Sequence, residues 1–574
     1  MIRNKHLSEI SVAPETTLEE TIAKMAALKP RKTPLPAGIV LITKGDFELK
    51  GIATDGDIRR ALSSGIALKT PIGKIMNKSP FLIEGPKSNV EILSIVVDKI
   101  KKEHWHKDRL DKIVIVDTKQ RVLDVIGFYD LWQSSDMRFK HIGIIGLGYV
   151  GLTLALTLAD LGFKVKGFDV DARVVQSLKK GKAHIYENGL DALMAEHAGK
   201  NFTVVDNFKG DNNCDIYFVA VGTPLQKNGT PYLKFLETAM TGIGKVLKRG
   251  DLVVLRSTVP VGTTRGVALP MLEKASGLSG GSDFMLAFAP ERTIEGRALE
   301  ELRTLPQVIG GLNHGSADAA ASIFGFMTNA TFMLNTLEEA ELVKLVNNTY
   351  RDVTFAFANE ISLISRKWGA DTKRVIEAAN HGYARSQVPM PSPGVGGYCL
   401  EKDPYILAQS SKVKKHDPMI ITQGRNVSER MIDSVAIDMK NFLDARHPQE
   451  KNPKIFLLGF AFKGKPATSD MRGSTTVKLV ERLREMGYKN IYGYDPVVKR
   501  PEITAHRVKY AATPDVGFKD AHVIGVMNNH VAFEALNLKP LLKSASSPAM
   551  LFDSWAVYTP ENVRKVKGIH YARL

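Results

Sequence analysis

The residues best suited to chemistry lie in one run: Pro393-Gly394-Val395-Gly396-Gly397-Tyr398-Cys399-Leu400-Glu401-Lys402-Asp403-Pro404. It delivers one of only two cysteines in the 574-residue chain, with an acid four positions later. If a helix starts at Cys399, Asp403 lies one turn along on the same face. A thiol at a helix N-terminus is expected to ionise below its ordinary pKa and to act as a nucleophile. Its thiolate would attack an aldehyde to give a thiohemiacetal. Hydride loss would give a thioester, which water can hydrolyse. A lone thiol is more often buried and inert, but the glycines before Cys399 and the acid after it favour the nucleophile. The plainer reading suits Cys214, which sits just before the apolar run Ile216–Val221.

A second signal is a stretch from Thr336 to Trp368 that contains neither glycine nor proline. Thr336 with Glu339 reads as a capping box, and Gly369 as a stop. Within this predicted helix, Lys344 and Asn348 are spaced i, i+4 and share a face. Arg351 and Asn359 continue along that face, while Val343, Val346, Tyr350, Val353 and Phe357 form an apolar one. A lysine so placed can stabilise a developing oxyanion, and an amide can hold a sugar or polarise water.

The third signal is Gly146-Leu147-Gly148-Tyr149-Val150-Gly151, between a predicted strand Ile142–Ile145 and a predicted helix Leu152–Leu161. Two glycines permit a tight turn and close approach of a pyrophosphate. The third permits close packing, and the helix start offers amides. Asp169, 23 positions after Gly146, would hydrogen-bond ribose hydroxyls and repel a 2′-phosphate, favouring NAD over NADP. The position of Arg173 on the following turn decides nothing.

These residues need a scaffold of alternating strands and helices. Short apolar runs at Val165–Phe168, Ile216–Val221 and Leu252–Leu255 predict buried parallel strands. A second helical stretch is expected around Met419–Leu443. After the polar break His447–Lys454, strand signals return at Ile455–Gly459, Ile491–Tyr494, Val523–Val526 and Met550–Phe552. The expected organisation is a tandem module over 1–135, a dinucleotide domain over 140–335, a helical domain with the cysteine loop over 336–445, and a second α/β domain over 452–574. Residues 132–140 read as a linker.

Composition adds limits. Hydrophobic residues make up 44% and charged residues 24%, a globular balance. No apolar run approaches the length of a membrane span, and the N-terminus lacks a signal-like core, so a cytoplasmic protein without membrane insertion is expected. The formal net charge of +17 fits a solvated basic surface that also attracts anionic ligands. Zinc-finger spacing and arginine-rich tracts are absent from the sequence, and no nucleic-acid partner is expected.

In combination, these motifs resemble the nucleotide-sugar dehydrogenases, the group that includes UDP-glucose 6-dehydrogenase and UDP-N-acetylmannosamine dehydrogenase. The resemblance runs from about His141 to the C-terminus. It also rests on Val221-Gly222-Thr223-Pro224, Ser257-Thr258-Val259-Pro260-Val261-Gly262, Pro290-Glu291-Arg292-Thr293-Ile294-Glu295-Gly296 and Gly459-Phe460-Ala461-Phe462-Lys463. It implies two Rossmann-like doubly wound domains joined by a long central helix, two NAD consumed per UDP-sugar, a uronate product serving surface polysaccharide synthesis, and a dimer through that helix. It also implies residue roles. Cys399 would be the nucleophile, and Lys344 and Asn348 would stabilise oxyanions. Asp403 would assist proton transfers, and Glu291 and Thr258 would position water or the reacting hydroxyl. Gly146, Gly148, Tyr149, Val150, Gly151, Asp169, Thr223, Pro224, Ser257, Thr258, Glu295 and Arg472 would lie near NAD. Lys463 and the glycines Gly394, Gly396 and Gly397 would hold the nucleotide sugar, with Glu291, Arg292, Thr293, Lys344 and Asn348 around it.

Two departures bear on these assignments. The stretch from Lys463 to Arg472 is longer than the common pattern. Arg292-Thr293 stands where glucose-type members carry Phe-Leu, which leans toward a UDP-N-acetylhexosamine. Tyr383-Ala384-Arg385 leans the same way, with Arg385 reaching substrate across a subunit boundary. UDP-glucose is the alternative substrate. A two-electron hydroxyacid dehydrogenase of related fold would need a lysine but no cysteine. A nucleotide-sensing binding protein would not need Cys399, Lys344 and Asp403 intact.

The first 135 residues contain a short repeat, ending in Gly51-Ile52-Ala53-Thr54-Asp55-Gly56-Asp57 and in Gly127-Phe128-Tyr129-Asp130. The first copy resembles the nucleotide-ribose motif of a cystathionine-β-synthase-type (CBS) domain, which implies an α+β CBS-like module. Thr54 would contact phosphate and Asp57 ribose of one adenine nucleotide. A module that only packs or oligomerises is weighed equally. His104-Trp105-His106 lacks a third metal ligand nearby and reads as a surface loop; no metal is expected.

Overall fold

The structure is a computed structural model and describes residues 6–27, 38–85, 92, 112–127, 140–328, 330–385 and 387–574. In the N-terminal module, strands β1 (Ser11–Val12), β2 (Ile39–Lys44) and β3 (Glu48–Thr54) form one sheet. Strands β4 (Leu82–Glu84), β5 (Lys112–Val116) and β6 (Val122–Gly127) form another. Each sheet has a parallel pair followed by an antiparallel hairpin. The hairpins turn through matching residues of positive φ, Phe47 at 59° and Gln120 at 58°. They dock turn to turn: Leu49 N donates to Gln120 O at 3.0 Å, and Val122 N to Phe47 O at 3.0 Å. Leu41 and Ile52 share a core with Val114 and Val122. The repeat read in the sequence is therefore a duplicated topology. Tyr129, Asp130 and His104-Trp105-His106 lie outside the described residues.

The next sheet has eight strands: β7 (His141–Ile145), β8 (Lys164–Phe168), β9 (Phe202–Val204), β10 (Ile216–Val219), β11 (Leu252–Leu255), β12 (Met285–Phe288), β13 (Gln307–Gly311) and β14 (Thr331–Leu334). Their order is β14-β13-β12-β11-β10-β7-β8-β9, with only β12 and β13 antiparallel. Strands such as β10 are buried along their whole length because helices cover both faces, and each face carries its own apolar core. The chain leaves β7 for β8 and returns on the other side at β10. That reversal opens the crevice at the carboxyl ends of β7 and β10. The expected strand to Val221 ends at Val219, and the expected helix from Leu152 begins at Tyr149, directly after Gly148.

A central helix, Leu337–Lys367, has the expected capping box of Thr336 with Glu339 and stops at Trp368-Gly369, with Gly369 at φ 65°. It packs against helices Tyr398–Val413 and Met419–Arg446. Its polarity is the reverse of an ordinary surface helix. Lys344, Thr349, Asp352, Asn359 and Ser362 face inward among small residues, while Val346, Tyr350, Phe357 and Ile364 are exposed. Asn359 is not beside Lys344 in a cleft; its side-chain oxygen accepts from Ser392 N at 2.8 Å, anchoring the segment that leads to the cysteine loop.

The last sheet comprises β15 (Ile455–Leu458), β16 (Ile491–Tyr494), β17 (Lys509–Tyr510), β18 (Val523–Val526), β19 (Ala549–Asp553) and β20 (Ile569–Arg573). Its order is β17-β16-β15-β18-β19-β20, all parallel, with its own reversal between β15 and β18. Among the described residues no helix is long and apolar enough to cross a membrane.

Candidate active site

Gly397 caps the helix Tyr398–Val413 at φ 94°. A Cβ there would come within 2.7 Å of the Phe462 ring, so the turn requires glycine. Cys399 occupies the first turn of the helix, with Asp403 one turn on. The turn is fixed to the C-terminal domain, since Gly397 N donates to Gly473 O at 3.2 Å and Glu401 ion-pairs with Lys478.

Cys399 opens into a cleft of about 210 Å³ where three domains meet. The segment Glu291–Glu295 forms one wall. Lys344, Asn348 and Arg351 of the central helix form the second. Gly396, Gly397, Phe462 and Lys463 close the third. Asn348 Nδ2 donates to Asp403 Oδ2 at 2.6 Å, and Lys402 Nζ to Asp403 Oδ1 at 2.7 Å. The fully buried Asp403 thus has both oxygens engaged and stands behind the cleft wall rather than lining it.

Cys399 is exposed and lines the cleft. Burial pushes its pKa up; the Lys344 ammonium opposes this, and Asp403 adds to it. The sequence expectation of a depressed pKa is therefore corrected. In the resting protein, placement at a helix start does not outweigh removal of the thiolate from water.

Glu291 follows β12, and Arg256 follows its neighbour β11. The two form a buried ion pair. Glu291 Oε1 also accepts from Arg292 N at 2.7 Å and Thr293 N at 2.8 Å. Burial works against ionisation, but Arg256 above all, then Thr293 and Lys344, hold the Glu291 carboxyl below its ordinary range. Arg292 turns its guanidinium toward the Pro306 carbonyl at the cleft edge.

Glu295 joins two domains. Its carbonyl accepts from Lys463 Nζ at 2.6 Å, and its carboxylate lies 3.2 Å from Thr468 Oγ1 and 3.6 Å from Arg472. Burial and the neighbouring Asp470 raise its pKa to about 7, while burial lowers that of Lys463 to about 8. Arg472 stacks on Tyr398 at 4.7 Å and pairs with Asp470 at 2.6 Å, which brings it to the cysteine loop despite the longer segment before it.

The dinucleotide crevice has the expected form. Gly146 turns at φ 88°, and a Cβ on it would lie 2.8 Å from Ala220 O. Gly148 faces open space, as close approach of a pyrophosphate needs. Asp169 Oδ2 accepts from Leu147 N at 2.7 Å, so the acid and the glycine turn are one unit. Thr223 Oγ1 donates to Thr258 O at 2.5 Å and Ser257 Oγ to Val221 O at 2.7 Å, tying together the loops after β10 and β11. These residues fit a dinucleotide cofactor. Arg173 pairs with Asp171 in solvent.

Not every predicted residue reaches the cleft. Gly394 lines a neighbouring cavity of about 330 Å³ with Ser428 and Thr475, because the loop turns before it meets the cleft. Arg385 is exposed and stacks on Tyr383 at 5.0 Å, outside the cleft of its own chain. Thr258 is buried below the cofactor crevice and does not line the cysteine cleft.

Three consecutive stretches of the chain match one family: its NAD binding domain over 140–328, its central domain over 338–430 and its UDP binding domain over 456–560. The UDP-N-acetyl-D-mannosamine dehydrogenase of Pyrococcus horikoshii is 34% identical over 406 residues, 70% of this chain and 93% of that protein. The chain belongs to the UDP-glucose/GDP-mannose dehydrogenase family. The UDP-N-acetyl-D-glucosamine 6-dehydrogenase of Pseudomonas aeruginosa is 30% identical over 422 residues, 73% of this chain and 97% of that one. The solved UDP-D-ManNAc dehydrogenase from Pyrococcus horikoshii superposes with a TM-score of 0.68 at 31% identity, covering 75% of this chain and 98% of its own. The family matches begin at residue 140.

Within this family member, three engaged side chains were given no role by the sequence. Arg256 backs Glu291, and Lys402 backs Asp403. Glu187 accepts from Tyr149 Oη and from Gly296 N at 2.7 Å, linking the glycine turn to the Glu295 segment. Lys402 is adjacent to Asp403 in the cysteine run, whereas Arg256 and Glu187 are marked by no local pattern. Cys214 is buried and its thiol pKa is pushed up to about 12, as an inert core residue requires. In the N-terminal module, Thr54 and Asp57 form a capping box. Thr54 N donates to Asp57 Oδ2 at 2.9 Å, and Asp57 N to Thr54 Oγ1 at 3.3 Å.

Proposed function

We propose that this protein oxidises the C6 hydroxyl of a UDP-N-acetylhexosamine to a carboxylate, with two NAD per sugar. The observation that carries this reading is the convergence of Cys399, Lys344, Asn348, Glu291 and Lys463 on one cleft between an NAD-binding and a UDP-binding domain. The sugar class rests on Arg292-Thr293 at the cleft wall and on relatives named for N-acetylmannosamine and N-acetylglucosamine.

In this reading three stages occur at one carbon. The C6 hydroxyl loses a hydride and a proton, giving an aldehyde. Cys399 Sγ adds to it as the thiolate, and loss of a second hydride converts the thiohemiacetal to a thioester. Water then cleaves the C–S bond, leaving a carboxylate, the Cys399 thiol and one proton released to solvent. NAD, when bound in the Gly146–Gly151 crevice, supplies the hydride acceptor. Lys344 favours the thiolate and the oxyanion by its charge, Asn348 orients the hydroxyl and the water while Asp403 fixes its amide from behind, and Lys463 and Arg351 offer cations to the nucleotide.

The experiment is a count of NADH per sugar over a panel of UDP-sugars, including UDP-glucose. Two NADH per N-acetylhexosamine supports the proposal, and turnover of UDP-glucose alone replaces the substrate. One NADH per sugar indicates a two-electron enzyme, and none an inactive binding protein.

The exposed stripe Val346, Tyr350, Phe357 and Ile364 supports a homodimer through the central helix. The duplicated sheets of the N-terminal module support a CBS-like pair with one adenine-nucleotide site at Thr54 and Asp57. Calorimetry with AMP, ADP and ATP tests that site: heat lost in Asp57→Ala supports it, and absence of heat in the unaltered protein removes it.

A further inference from the structure

Arg256 is the largest fully buried side chain described, and its side chain has no solvent exposure. It leaves the end of β11 just before Ser257 and Thr258 and turns under the neighbouring strand end, where Glu291 begins the cleft wall. Its guanidinium lies 5.0 Å over the Phe324 ring and 3.3 Å from Gln307 Oε1, and among the described residues its only ion-pair partner is Glu291. Its Nε is buried without a partner. A cation so enclosed is tolerable only if the carboxylate beside it stays charged.

The converse also holds. Glu291 is 4% exposed, and an acid removed from water to that extent takes up a proton unless a cation faces it. The charged groups facing Glu291 are Arg256 beneath it, Lys344 from the central helix and Arg292 on its own segment. Arg292 points to the Pro306 carbonyl instead, and Lys344 faces the cleft. Arg256 is thus the one in contact.

We propose that Arg256 is a positioning residue for the reaction: by pairing with Glu291 from behind the cleft, it keeps that side chain a fixed carboxylate that only accepts hydrogen bonds. Glu291 then orients the reacting hydroxyl or the attacking water without retaining its proton. When water opens the thioester, one of its protons ends on Cys399 Sγ and the other goes to solvent, with Glu291 unchanged. This inference rests on the reaction proposed above.

Two measurements test it. The first is the pH dependence of kcat with the UDP-sugar that turns over, in Arg256→Met and Arg256→Lys. The acid limb is expected to move up by about one unit or more in the Met variant, with KM changed less than roughly threefold, and to stay near its original pH in the Lys variant. An acid limb unmoved in Arg256→Met overturns the proposal. The second needs no substrate and covers the case in which the Met variant folds poorly. Thermal unfolding is compared for Arg256→Met and Arg256→Met/Glu291→Gln. The double variant is expected to recover a large part of the lost Tm, because no buried charge is then left alone. A double variant no more stable than Arg256→Met overturns the pairing. If the unaltered protein oxidises no UDP-sugar, the functional reading falls while the unfolding comparison still decides the pair.

Discussion

Asn348 on the central helix donates a 2.6 Å hydrogen bond to Asp403, one turn along the cysteine helix from Cys399. Two helices that pack together thus share one polar contact at the cleft floor. Lys402 engages the other oxygen of Asp403, so the carboxylate is oriented from both sides. Replacing it by asparagine keeps the shape, removes the charge and offers Lys402 a poorer acceptor. Asp403→Asn is expected to lower kcat by about 10²-fold or more, the ordinary worth of a positioned acid–base group, with a smaller change in KM. Steady-state NADH formation measures both; an unchanged kcat would mean that Asp403 only packs.

The Cys399 thiol is reachable at the cleft, but its ionisation should limit its reactivity. Burial raises its pKa and Lys344 opposes that rise. Alkylation by iodoacetamide is therefore expected to be slow at neutral pH and to quicken into the alkaline range. Lys344→Met should slow it further at pH 8, since removing the ammonium leaves less thiolate. Mass spectrometry of the Cys399 peptide reads the rate, and Cys214 serves as an inert internal control. Faster alkylation in the lysine variant would contradict the electrostatic role.

Much of this site was legible because its signals are local. The Gly146 turn needs positive φ, and the Gly397 cap cannot carry a side chain against Phe462; glycine records such needs directly. The Thr336 capping box fixes the start of the central helix for the same reason. Arg256 was not legible. It sits between an apolar strand and Ser257 with no pattern around it, and its role arises only because β11 lies beside β12. The orientation of the central helix was half legible. A 3.6-residue period shows that a helix has two faces, but not which one meets the protein. Here the inner face is polar and small, and the apolar stripe points out. The surroundings that raise the Cys399 pKa were likewise beyond the sequence, since they depend on three domains closing around one turn.

That outward stripe gives a third prediction. Tyr350 is 69% exposed and Phe357 52%, seven residues apart on one face. Covering them with a second copy removes this apolar surface from water, whereas a charge at each position would oppose it. Light scattering after gel filtration is expected to show a dimer for the unaltered protein and a monomer for Tyr350→Glu/Phe357→Glu. A monomer in both would assign the stripe to another partner.

The junction of Glu295 with Lys463 and Arg472 should make stability depend on pH. Burial and Asp470 raise the Glu295 pKa from 4.5 to about 7. A carboxyl whose folded pKa is raised favours the fold while protonated. That advantage is complete below its ordinary pKa and is lost as pH rises through about 7. Lys463 runs the other way: its pKa is lowered from 10.5 to about 8, so its share is complete above 10.5 and lost as pH falls through about 8. Glu295→Gln keeps an uncharged side chain at every pH and so escapes the first loss. It is expected to be more stable than the unaltered protein at pH 8, by on the order of 1–3 kcal/mol or a few degrees in Tm, with the difference closing below about pH 5. Differential scanning fluorimetry across pH 4 to 9 measures this. A variant less stable at pH 8 would mean that Lys463 and Arg472 gain more from the charged Glu295 than its burial costs, and that the junction is held by charge at neutral pH.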